Sequence, residues 1–184
     1  MERFPSLDEA ALDPDQTRMA AVAQRGGPYL AFLRAPLLWE RLQPLRRYFT
    51  EHSVLGARER EATILTLARH WESTAAFSGH RGLAVRAGLA PDAIDAIGRG
   101  AGAGTLDEPA ALAVELTDRL LRHHGLSDDL FDRARDRWGE GGVVEIIGRV
   151  GFFTTIALTL NVAGATGEAP FAGPRDRYSP DDKK

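Results

Sequence analysis

Apolar residues recur along this chain at spacings of three and four and nowhere alternate over a strand's length, a pattern that predicts an all-α protein. Alanine, leucine, arginine and glutamate fill the periodic stretches, and all four favour helix. Tyr29 to Arg34 reads as a short apolar turn that stops before Pro36. Pro36 opens a helix to about Glu51, with Leu37, Leu38, Leu42 and Leu45 on one side. Pro44 lies inside it, so a kink or break is expected near Leu42. A helical hairpin follows, its first arm from about Ala57 to Trp71 and its second from about Ser73 to Ala87, with Gly88 as a C-cap. Pro91 begins a short helix to Ile97, and residues 99–105 form a flexible link. Thr105 or Asp107 caps a helix from Glu108 to about His124, and Ser127 caps another through Trp138.

The stretch from Val143 to Ala165 is mostly apolar and long enough to resemble a membrane span. It holds Glu145, Arg149, Asn161 and several threonines, and charges inside lipid are costly. Glu145 and Arg149 stand at the i, i+4 spacing of a helical ion pair, so a buried core helix is expected here and no membrane. Residues 1–27 read as a polar arm, punctuated by Pro5, Pro14, Gly26 and Gly27, with room for one short helix. Residues 28–166 form the helical domain, and 167–184 a polar C-terminal tail that is mobile or lies on the surface. No repeat of fixed period is visible.

Composition narrows the chemistry. The chain has 184 residues, 43% hydrophobic and 27% charged, which suits one soluble domain. A formal charge of −3 argues against nucleic acid as a partner. There is no cysteine, which excludes disulfides, thiolate metal sites and dithiol redox chemistry. No signal peptide is visible at the amino terminus, so a cytoplasmic location is expected. The glycine-rich run at 99–105 follows no strand and has no lysine where a phosphate loop needs one, and it reads as a hinge. His123 and His124 close a helix, where positive charge suits the carbonyl ends. His70 and His80 have neither an HxxxH partner nor a carboxylate at ligand spacing, so no metal site is expected.

Glu61 and His80 stand out by position. Glu61 shares a stripe with Ile64, Leu65, Ala68 and Trp71, where a carboxylate is costly to bury unless neutral or paired. Burial raises a carboxyl pKa, which is the state a general acid needs. His80 shares a stripe with Ala76, Phe77, Leu83, Ala84 and Ala87. Two titratable groups on the inner faces of neighbouring helices make either a proton-transfer pair or a satisfied core hydrogen bond, and spacing alone leaves both open.

Several segments carry a family likeness. They are Tyr29-Leu-Ala-Phe-Leu-Arg-Ala-Pro-Leu-Leu-Trp39, then Leu55-Gly-Ala-Arg-Glu-Arg-Glu-Ala-Thr-Ile-Leu-Thr-Leu-Ala68, then His80, Ala84, Ala87-Gly88-Leu89 and Asp95-Ala96-Ile97. Ala110 to Leu116, Leu126-Ser127, Phe152-Phe153 and Leu160-Asn161 continue it. In order and spacing this resembles the carboxymuconolactone decarboxylase family, which includes the AhpD-like alkylhydroperoxidases. The resemblance implies the AhpD-like all-α fold, an oligomeric helical bundle and a ligand pocket at Glu61 and His80. It also implies a homo-oligomer, whether dimer, trimer or hexamer. The redox branch carries a C-x-x-C before its histidine, and those positions here are Ser73 and Ala76. Dithiol peroxide reduction is therefore excluded. The decarboxylase branch shows Tyr-Glu-Trp at places held here by Ala75, Ala76 and Phe77.

The function expected is a cofactor-free proton-transfer enzyme, a decarboxylase or isomerase, acting on a small unsaturated carboxylic acid or lactone. His80 and Glu61 would be its acid/base pair. Trp71 and Phe77 are core side chains or pocket lining, Ser73 is an N-cap or a donor at the pocket mouth, and Arg81 is a surface charge or a clamp for a substrate carboxylate. The alternative is a non-catalytic ligand-binding or scaffold oligomer whose family site has decayed. A cysteine-free peroxidase using haem or a metal has no clear ligand set.

Overall fold

The computed structural model describes residues 4, 7–22, 29–102 and 104–173; Pro5, Gly26, Gly27, Ala103 and the tail from residue 174 lie outside the described residues. After a 3-10 turn at Glu9–Ala11 come α1 (Pro14–Val22), α2 (Tyr29–Phe32), α3 (Pro36–Glu51), α4 (Ala57–His70), α5 (Thr74–Arg86), α6 (Pro91–Gly98), α7 (Glu108–His123) and α8 (Asp128–Ala163). The protein is all-α, with no strand among the described residues.

Proline opens α3, α6 and α7, where its missing N–H would have had no helical partner. Ser127 caps α8, its Oγ accepting from the Leu130 N–H at 3.4 Å. Asp107 stands at the N-cap of α7 without capping it, because its carboxylate pairs with Arg58 at 2.7 Å. At the far end of α7, His124 takes the left-handed conformation with φ 61° and stops the helix. Gly88 does the same after α5 with φ 95°, while the Leu89 N–H reaches back to the Ala84 carbonyl at 3.0 Å.

α4 lies at the centre and packs against α5, α6, α7 and α8. Every residue from Ala62 to Ala68 is buried. A tight turn joins α4 to α5, with Glu72 at φ 53° and the Ser73 N–H bonded to the Ala68 carbonyl at 2.8 Å.

Three expectations need correction. Of the kink or break expected near Leu42, the break does not occur: α3 runs through Pro44 as one helix, and Pro44 is exposed, where solvent can take the carbonyl its ring leaves unpaired. Leu37, Leu38 and Leu45 are exposed, and α3 instead buries Trp39 and Phe49, with Leu42 half-buried between them. The aromatic pair has more apolar area to hide, and Trp39 stacks on Phe32 with ring centroids 4.6 Å apart. The apolar stretch from Val143 to Ala165 is buried on one face only. Val144, Ile147, Leu158 and Val162 on its other face are exposed, Val144 by 67%.

α8 is two helical pieces. Gly139, at φ 71° and ψ 172°, leaves helical geometry and breaks it just past Trp138, where the sequence places an end. Beyond the break the expected ion pair forms, with Arg149 Nη2 3.2 Å from Glu145 Oε1 and both side chains at most 2% exposed. The Phe49 carbonyl, the Ser53 hydroxyl and the Val54 N–H complete the network. Residues flanking the helical domain join the core. Met19 of α1 is 1% exposed, and Phe171 stands edge-on to Phe77 at 5.2 Å.

Candidate functional site

Glu61 and His80 belong to the two arms of the hairpin. The α4–α5 turn folds those arms together so that nineteen residues of chain separate two side chains in contact. His80 Nδ1 lies 2.8 Å from Glu61 Oε2. A carboxylate only accepts, so in the tautomer that pairs with one the Nδ1–H donates the hydrogen bond to Glu61 Oε2. Nε2 has no hydrogen-bond partner among the described residues. The pair is neither sealed nor open, at 22% exposure for His80 and 15% for Glu61.

Aromatic rings set the orientation of the imidazole. Phe153 meets the His80 ring edge-on at 5.6 Å, Phe152 meets Phe153 edge-on at 5.0 Å, and Phe49 tilts against both. The Arg149 guanidinium lies over the Phe49 ring at 4.8 Å. Burial pushes the Arg149 pKa below its ordinary value, while the hydrogen bond and charge of Glu145, and more weakly the charge of Glu61, pull it back up. A buried cation therefore stands behind the aromatic wall, within electrostatic reach of the Glu61 carboxylate.

The other expected site residues are not gathered around this pair. Ser73 is fully buried, its hydroxyl reaching the Ala157 carbonyl at 3.4 Å; it makes no capping bond and lies at no pocket mouth. Phe77 is also fully buried, edge-on to Phe171 and pressed so close to Gly98 that a Cβ there would come within 2.8 Å of its ring. It is core and lines nothing open. Trp71 is half-buried and ties α4 to α8, its indole N–H donating to Thr154 Oγ1 at 3.0 Å and its carbonyl accepting from Asn161 at 2.7 Å. Arg81 is bound to Asp95 of α6. That hydrogen bond raises the arginine pKa and lowers that of the aspartate, with burial opposing both. Arg81 thus spends its charge on α6. Among the described residues no three His, Cys, Asp or Glu side chains are grouped as metal ligands.

A cleft of about 570 Å³ lies elsewhere on α4. Thr66, Arg69 and His70 form one wall, the Ala111–Arg122 face of α7 the other, with Ile97, Gly100 and Gly102 at the end. Around an ideal helix, Thr66 and His70 point roughly 140° and 180° away from Glu61. His70 reads in the sequence as a lone histidine. The signal for the cleft is the recurrence of Ala111, Val114, Asp118 and Arg122 on one side of α7, opposite a helix whose polar positions repeat at i, i+3 and i+4.

No protein-family model matches the chain, nor does any curated protein or solved structure.

Proposed function

We propose that the protein is a cofactor-free proton-transfer enzyme, a lyase or isomerase of the carboxymuconolactone decarboxylase type, acting on a small unsaturated carboxylic acid or lactone. The reading rests on one observation. His80 is anchored through Nδ1 to Glu61 and leaves Nε2 without a partner among the described residues. In an isomerisation, Nε2 takes a proton from the carbon next to a carbonyl and returns it further along the conjugated system. In a decarboxylation, the bond to the carboxylate carbon breaks, carbon dioxide leaves, and its electron pair spreads into an extended enolate. The Nε2–H of the imidazolium then delivers a proton to carbon, while the Glu61 carboxylate stabilises the charged ring. Phe153, half-buried and edge-on to the imidazole, is the ring against which a conjugated substrate would lie, with the buried Phe49 and Phe152 holding it in place.

The same reading makes the protein a cytoplasmic homo-oligomer, a dimer, trimer or hexamer. What supports a second copy as its partner is the exposed α8 face of Val144, Ile147, Leu158 and Val162. The competing reading, a ligand-binding or scaffold oligomer without catalysis, draws support from Ala75 and Ala76, which bring no polar group to the hairpin.

Ultraviolet progress curves on unsaturated lactones and on β-keto and dienoic acids separate the two. The wild type is expected to consume a substrate, and Glu61→Gln and His80→Ala to lose at least about a hundredfold in kcat, the usual worth of a positioned acid or base. Equal rates for all three proteins would make the pair structural, and binding with no consumption by any of them would favour the competing reading.

A further inference from the structure

The cleft between α4 and α7 sets a small apolar patch beside polar side chains, among them a cation with no acidic partner among the described residues. Ile97, Ala111 and Val114 supply the apolar surface. Among the charged groups, Glu115 is already paired with Arg133 at 3.1 Å and Asp118 with Arg122 at 2.6 Å. Arg69 forms no ion pair among the described residues. Its Nε is buried with no hydrogen-bond partner, and its guanidinium rests on the Phe171 ring at 5.3 Å. The terminal nitrogens of the guanidinium are not among its buried atoms, and a carboxylate in the cleft would give them the charge-assisted hydrogen bonds that no described acid supplies. The volume lies within the range of small-molecule sites.

We propose that this cleft binds a small monocarboxylate with an apolar body, its carboxylate on Arg69 and its body against Ile97 and Val114. The two acids of α7 argue against a dianion: even paired with arginines, Glu115 and Asp118 repel a second negative charge. His70 stands beside them as a neutral group. Burial, the charge of Arg122 and, more weakly, that of Arg69 pull its pKa below the ordinary value, against Asp118. It therefore offers a hydrogen bond to the ligand without a charge to be compensated. Thr66 and His70 face away from Glu61, Arg69 lies about 80° from it around an ideal helix, and the lining includes neither Glu61 nor His80, so occupancy does not depend on that pair.

Saturation-transfer NMR and thermal denaturation of the full chain with benzoate, and with uncharged benzamide as its isostere, test the assignment. Benzoate is expected to bind and raise Tm, and benzamide to bind at least about tenfold more weakly. Arg69→Gln is expected to weaken benzoate about tenfold or more, and His80→Ala to leave it within twofold. Ala111→Phe, which fills the cleft and keeps every charge, is expected to abolish binding; it carries the test if Arg69→Gln fails to fold. Equal binding of benzamide, undiminished benzoate binding by both cleft variants, loss of binding in His80→Ala, or no benzoate binding at all would each overturn the proposal.

Discussion

Arg149 shows how much one side chain can carry when it has no route to solvent. Its charge is held by Glu145, the Ser53 hydroxyl and the Phe49 carbonyl, and it in turn holds the loop between α3 and α4. Arg149→Met would leave Glu145 buried and uncompensated, at a cost of about 3–5 kcal/mol. Urea denaturation is expected to show that loss, and the double variant Glu145→Gln, Arg149→Met to recover part of it. His70 predicts a pH dependence. Its native pKa is depressed, so above the ordinary histidine value of 6.5 it is neutral in both states and its contribution is fully present. As pH falls below 6.5 the unfolded chain takes the proton first, and stability declines until the native imidazole protonates as well. The urea midpoint of the wild type should fall more between about pH 7 and 5 than that of His70→Gln. At this scale the sequence was legible where spacing decides the outcome: the Glu145–Arg149 pair is an i, i+4 contact. Phe77 was legible as a core side chain, whereas the partners of Ser73 and Arg81 were not, because Ala157 and Asp95 come to them from other segments.

Element boundaries follow local rules, and the sequence places most of them. Pro36, Pro91, Ser127, Gly88 and the glycine after Trp138 act through φ and hydrogen bonds within a few residues. Which face an element buries is a different matter. α3 hides two aromatics in preference to three leucines because Phe32 and Phe152 are there to receive them. Gly139 offers a clean test of the local rules. A Cβ at this position would meet no atom within 4 Å, so Gly139→Ala costs only the backbone strain of φ 71°, ψ 172°, a region that side chains avoid. That strain is about 1–3 kcal/mol. Thermal denaturation should show a loss of that order, whereas Gly125→Ala, equally open and without positive φ, should cost little.

Across the whole molecule, the side of α8 that faces away from α4 is apolar or small at 144, 147, 148, 151, 155, 158 and 162. That run covers about 27 Å at the rise of an α-helix. The helix is long and apolar enough to cross a membrane, by length and composition. Its buried face nevertheless carries Glu145 and Arg149, locked to residues of α3 and the loop after it. If a second copy covers the stripe, wild type should sediment as a dimer or larger in detergent-free buffer, and the double variant Ile147→Glu, Leu158→Glu as a monomer. A monomeric wild type would remove the homo-oligomer from the reading. The sequence shows the apolar run but not its division between two environments, since that depends on which neighbours α8 finds.

α4 sets a limit on how this protein can change. Of its residues only Ala57 is exposed, since the stretch 62–68 is buried and the remaining positions are buried or half-buried. Glu61 meets His80 of α5, and Thr66, Arg69 and His70 line a cleft on the other side. A helix engaged on every side offers almost no position where substitutions can accumulate without effect. Substitutions that leave the packing untouched must therefore be sought outside α4.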